Sequence, residues 1–386
     1  MIKSLRLPYV LFLAAAAVLV YVPNRAVAQD GGGDGFGGQN GNGAVFAMTN
    51  AASNNQINAY IRGEDGSLQF SAAYPTGGNG SGGTLDPLHS QGSLTLSADH
   101  RQLFAVNAGS GTVSLFAVRG AQLSLLDTAS TGGSMPTSVT QVGDLVYVLN
   151  AGGNASVTGF RIVGNGHLQA IPHSTSYLSG TATAPTDVVL SPSRQLLVVT
   201  ESATNKIDVF HVFPNGTLSN PIATDSAGTV PFAAVFAPNG TLIVGNVENN
   251  QTVSSTISSY QLNGNGSLRT ISNALPTGGS ATCWDVIGRL GRTVYTSNPN
   301  NSTLSGFNIE RNGELTPIGG AVVGQTPTGS TNIDIAASSD GRYLYTLYAA
   351  TGAIGISAVQ DDGSLANLGQ QDGLPASAGI NGIAAY

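Results

Sequence analysis

A four-residue turn recurs seven times along this chain. It reads Asp65-Gly66-Ser67-Leu68, then in degenerate form Gly120-Ala121-Gln122-Leu123, then Asn165-Gly166-His167-Leu168 and Asn215-Gly216-Thr217-Leu218. Asn265-Gly266-Ser267-Leu268, Asn312-Gly313-Glu314-Leu315 and Asp362-Gly363-Ser364-Leu365 complete the series, with the leucines 45 to 55 residues apart. Asn-Gly and Asp-Gly accept the positive φ angles of a two-residue hairpin turn, so each copy predicts a hairpin. Seven hairpins at one period require a shared repeating architecture.

Within each period the same strands return. An apolar stretch (residues 94–97, 188–191, 234–237) is followed by a turn and a second strand (103–107, 145–150, 196–200, 242–246, 294–298, 343–348). A third strand, such as 113–118 or 207–213, ends just before the turn, and a fourth starts at the leucine after it. Four antiparallel strands in about 50 residues, repeated seven times, predict an all-β fold: a seven-bladed β-propeller. Residues 45–50 match a second strand with no inner strand before them, and residues 380–386 form an orphan strand at the far end. Pairing the two would close the ring and hide both sheet edges. The propeller is expected over residues 44–386.

Composition agrees. Charged residues make up only 9% and glycine fills 52 positions, whereas hydrophobic content is 41%, enough for a packed core but short of the residues that build long helices. Lys3 and Arg6 precede a mostly apolar run over residues 7–20, and Ala26-Val27-Ala28 forms a small-x-small site. Residues 1–28 are therefore expected to be a signal peptide cut after Ala28, with a secreted or periplasmic product. Loss of Lys3, Arg6 and Arg25 would take the formal net charge from −7 to −10, which argues against nucleic acid as a partner. The sequence QDGGGDGFGGQNGNG over residues 29–43 reads as a disordered Gly-rich linker. No further membrane-spanning stretch is expected, and a monomer is. Cys283 stands alone and reads as a small core residue.

The run Ser338 to Tyr345, Ser-x-Asp-Gly-Arg-x-Leu-Tyr, together with the Asn-Gly-x-Leu turns, resembles the seven-bladed lactonase family, which includes 6-phosphogluconolactonase and carboxymuconate lactonizing enzyme. The resemblance spans nearly the whole chain after the leader. It implies a lactonase-type hydrolase acting at the channel mouth. The family's Pro-Arg-His motif falls on Pro185-Thr186-Asp187, with its Asn-Glu on Thr200-Glu201; the proline and glutamate are present, the arginine and histidine are not. A phosphorylated or tricarboxylate substrate needs cationic clamps, so an uncharged lactone or a carbohydrate-like ligand is the expected substrate. The alternative is a non-catalytic surface or binding propeller that recognises a glycan, small molecule or protein.

The repeats permit an internal comparison. The position ending the second strand reads Asn50, Asn107, Asn150, Thr200, Asn246, Asn298 and Tyr348, which suggests side-chain bonds to turn backbone. The next position reads Ala51, Ala108, Ala151, Glu201, Val247, Pro299 and Ala349, so Glu201 departs from what the architecture asks for. Glu201 is the expected general base, with Asp187 or His89 assisting. Trp284, Asp285 and Asp334 are expected to face the channel as ligand-binding residues. No cofactor is expected and no metal motif is present; aspartates around one channel suit a cation such as Ca²⁺ only in being hard oxygen donors.

Overall fold

All seven turns adopt the conformation their glycines allow: Gly66, Gly120, Gly166, Gly216, Gly266, Gly313 and Gly363 have φ between 59° and 95°. The computed structural model describes residues 43–248 and 255–386; the expected leader and almost all of the linker lie outside these. Seven antiparallel sheets form the blades of a β-propeller, each ordered from an inner strand to an outer one. In blade 4, for example, the order is Pro185–Leu190, Leu196–Glu201, Lys206–His211 and Ile222–Asp225. Blade 3 differs at its rim. Its outer strand is broken into His167–Ala170 and Ser176–Tyr177, both paired with Ser156–Val163. The gap contains Pro172, which has no N–H to give the ladder.

The ring closes as the orphan strand suggests. Ile383–Ala385 is the inner strand of blade 1 and pairs antiparallel with Ala44–Met48. Arg62 reinforces the junction, donating to the Tyr386 carbonyl at 3.2 Å and pairing with Asp340 of blade 7 at 3.2 Å.

Neighbouring blades are clasped through the glycine turns. Tyr147 Oη donates to Gly216 O, Tyr295 Oη to Gly363 O and Tyr345 Oη to Gly66 O, at 2.9–3.0 Å. In each pair a second-strand tyrosine of one blade holds the turn of the next. The repeated asparagines are buried. Asn50 bonds to loop backbone as expected, accepting from Ser81 N and donating to Gly379 O, but three others serve a different purpose. Asn107 Nδ2 donates to Thr112 and Ser114, Asn246 to Thr256 and Ser258, and Asn298 to Thr303 and Ser305. They stitch the second strand to hydroxyls on the third.

Four of the inner strands carry a register shift at the same end, between Pro136 and Ser138, Pro185 and Asp187, Pro231 and Ala234, and Ile333 and Ile335. Such bulges re-aim side chains, and here they do so around the channel.

Candidate functional site

The seven inner strands enclose a cavity of about 470 Å³ along the propeller axis. Asp187, Asp285 and Asp334 all contribute to its wall and all are buried. Asp187 Oδ1 accepts from Ser138 Oγ of blade 3 and Oδ2 from Ala234 N of blade 5, each at 2.9 Å. Burial outweighs these donors and pushes its carboxyl up to about 8. Asp334 sits at a bulge, accepting from Ile335 N at 2.9 Å and from Ile383 N of blade 1 at 3.2 Å. Burial raises it to about 7. Both carboxyls therefore tie inner strands that share no ladder, and both sit where they can hold a proton near neutrality.

Asp285 behaves differently. It pairs with Thr296, as Val188 pairs with Val199 and Ala234 with Val244, so it occupies a position that other blades fill with an apolar residue. Its carboxylate turns into the seam with blade 5, where a side chain on Gly245 would come within 2.9 Å of Oδ2. Among the described residues neither oxygen accepts a well-formed hydrogen bond; burial lifts the group to about 7, only partly opposed by the Thr296 hydroxyl and the Gly245 backbone beside it. Asp285 thus contributes to the cavity wall while its carboxylate also borders the seam with blade 5.

One end of the channel is strapped shut by residues 84–92. Ser90 Oγ donates to Thr137 O, Gln91 N to Thr186 O, and Trp284 Nε1 to Ser90 O, at 2.8–3.0 Å. Gln91 Oε1 accepts from Asp285 N at 2.8 Å, so the strap crosses from blade 2 to blade 6. Asp86 anchors it to blade 1, accepting from Asn381 Nδ2 and from His89 N. Trp284 is thus a buried packing residue, edge-on to Phe232, and not a stacking platform. His89 lies on the strap with its side chain 81% exposed and outside the cavity wall. At the other end Leu96, Val142, Phe236, Ile287 and Ala337 are only half-buried and form an open, apolar mouth.

Glu201 lies elsewhere. It pairs with Pro185 as Asn150 pairs with Pro136 and Asn246 with Pro231, so it holds the repeated asparagine position itself, one place from where simple spacing puts it. Its oxygens accept from Ser179 Oγ at 3.3 Å and Thr204 Oγ1 at 2.5 Å. It is absent from the cavity wall and shares no partner with Asp187. The structure does not bring these two carboxyls together as one acid–base pair.

What Glu201 meets instead is Asp208, which sequence reasoning missed. Asp208 holds the third-strand position of Ser114, Ser258 and Ser305. Where other blades join asparagine to serine, blade 4 joins two buried acids. Asp208 Oδ2 accepts from Ser179 N at 2.7 Å, whereas Oδ1 has no other donor. Burial and the neighbouring Glu201 push Asp208 up to about 7, so one proton replaces the missing amide donor. The signal lay in the third-strand column of the repeats, which carries a hydroxyl in several blades and an acid in this one. Among the described residues, no three His, Cys, Asp or Glu side chains converge to hold a metal ion.

Residues 241–379 match the family model described as "Lactonase, 7-bladed beta-propeller". Over those residues the chain is similar to that family, and the fold around them is its seven-bladed propeller. No curated protein matches its sequence. Solved structures share the fold of this propeller. A candidate 6-phosphogluconolactonase of Bacteroides fragilis is 20% identical, with 90% of this chain and 98% of that one covered and a TM-score of 0.67. The periplasmic gluconolactonase of Pseudomonas aeruginosa is 19% identical, with 88% and 99% covered and a TM-score of 0.64. A protein from Lactobacillus plantarum is 18% identical, with 89% and 98% covered and a TM-score of 0.69. Among the described residues, no helix of the propeller is long and apolar enough to cross a membrane.

Proposed function

We propose that this chain is an exported lactonase-like hydrolase that opens an uncharged lactone in its central channel, entering from the unstrapped face. The observation that carries the reading is the cavity wall: it holds a carboxyl that titrates near 8, Asp187, and among the described residues no Lys, Arg or His. A carboxyl near the working pH suits acid–base work. As base, Asp187 takes a proton from water as the water oxygen bonds to the acyl carbon. The ring C–O bond then breaks, and the proton passes to the departing alkoxide, giving a hydroxy acid. Gln91, oriented through its Oε1 contact with Asp285 N, is the amide placed to donate to the developing oxyanion. The leader-like residues 1–28 support export.

The test compares hydrolysis of glucono-δ-lactone and of its 6-phosphate by the native chain, Asp187→Asn and Glu201→Gln. The neutral lactone should be opened, the phosphorylated one poorly. Asp187→Asn should lose on the order of 10²–10⁴-fold in kcat, and Glu201→Gln should stay close to native. A native chain that opens neither lactone faster than buffer sinks the enzymatic reading. One observation would then favour a binding propeller: both Asp187 oxygens already accept protein donors. Trp284, the single tryptophan and bonded to the strap, would report ligand entry by fluorescence without turnover.

A further inference from the structure

A second cleft, larger than the channel at about 590 Å³, lies on the open face between blades 3 and 4. Two of the chain's twelve arginines, Arg161 and Arg194, meet in it. Both donate to the one carboxylate of Asp144, and Arg161 Nη2 also donates to Pro214 O at 2.9 Å. One carboxylate cannot neutralise two guanidiniums, so the cleft keeps a net positive charge on a chain whose formal net charge is −7. The guanidiniums also retain N–H groups beyond those bonds, since each carries five.

Arg194 is conspicuous against the repeats. It closes the turn between first and second strands, with its N–H donating to Ser191 O at 2.8 Å. Gly240, Gly291 and Gly341 close the corresponding turns in blades 5, 6 and 7, donating to Ala237 O, Gly288 O and Ser338 O. All four residues have positive φ, 63° at Arg194 and 65° to 85° at the glycines. Blade 2 has His100 in the corresponding turn, donating to Ser97 O with φ 59°, so a side chain is held in this left-handed position in two blades and glycine in three; a long side chain there costs conformational free energy. Room for it comes from Gly143, whose missing Cβ would lie 2.8 Å from Arg194 Nη1. Beside the guanidiniums the cleft presents Phe213, 47% exposed, with His211, Ser193 and Gln195 around it.

We propose that this cleft binds a carboxylated sugar of the uronate class. The carboxylate pairs with the arginine fork, the apolar face of the ring lies on Phe213, and Ser193 and Gln195 meet hydroxyls. This site is separate from the channel and independent of any hydrolysis there. The experiment titrates the purified full chain with D-glucuronate, D-glucose and inorganic phosphate at low salt by calorimetry, with Arg194→Gly, Arg161→Gln and Phe213→Ala variants. Glucuronate should bind saturably and glucose at least tenfold more weakly. Arg194→Gly should weaken glucuronate at least tenfold while leaving Tm equal or higher, because glycine relieves the turn. Should that variant misfold, Arg161→Gln carries the same expectation. No glucuronate binding, or binding indifferent to both arginine variants, overturns the site. Phosphate binding as tight as glucuronate, with Phe213→Ala neutral, overturns its assignment to a sugar.

Discussion

The Tyr345 hydroxyl donates to the carbonyl of Gly66, 3.0 Å away, across the junction at which blade 7 meets blade 1. Gly66 has φ +84°, and a Cβ there would overlap the ring of Tyr343. Gly66→Ala is therefore expected to destabilise the fold by about 1–3 kcal/mol, combining left-handed strain with overpacking. Tyr345→Phe, which removes only the hydrogen bond, should cost about 1 kcal/mol. Urea denaturation distinguishes them; equal effects would mean that the backbone conformation at Gly66 is immaterial.

Stability should fall as pH rises through the neutral range. Asp208 titrates at about 7 in the fold and near 3.9 in an unfolded chain. Between those values the native state holds the extra proton, so its stability is greatest below about pH 4, declines up to about 7 and is flat above. Asp187, at about 8, extends the decline. Asp208→Asn supplies an amide donor to Glu201 without a proton and should flatten the slope, by a few kcal/mol between pH 5 and 8. Unfolding free energies at those two pH values decide it; an unchanged slope refutes the shared proton.

Asp285→Val should stabilise the protein. Among the described residues the buried carboxyl accepts no well-formed hydrogen bond, at a position where blade 4 has Val188, and replacing it by an apolar side chain removes a poorly met polar group. A gain of about 1–3 kcal/mol at pH 8 is expected. At pH 5 the gain should be smaller, because the acid, at about 7, is then neutral. A loss of stability at both pH values would show that Asp285 has a partner the structure does not display.

Fold and ring closure were legible because they rest on local chemistry: glycines that accept positive φ, and alternating apolar strands counted against a period. The Gly-turn copies map onto the seven hairpins, and residues 380–386 contain the closing strand. The site was less legible. Counting along the second strand put Thr200 at the asparagine position; only the pairing of Glu201 with Pro185, as of Asn150 with Pro136, shows that Glu201 holds it. Trp284 was ambiguous for another reason: only the long-range contact with Ser90 shows that it is covered. Asp208 looked like any acid on a strand until its register with Val199 placed it beside Glu201.

The strap over residues 84–92 turns a tube into a dead-end vestibule. Whatever reaches Asp187 must back out through the apolar rim by which it arrived, so an entering and a leaving molecule share a single passage. Traffic in such a chamber follows a strict queue. Under the hydrolase reading proposed above, slow product egress, more than bond breaking, sets the pace.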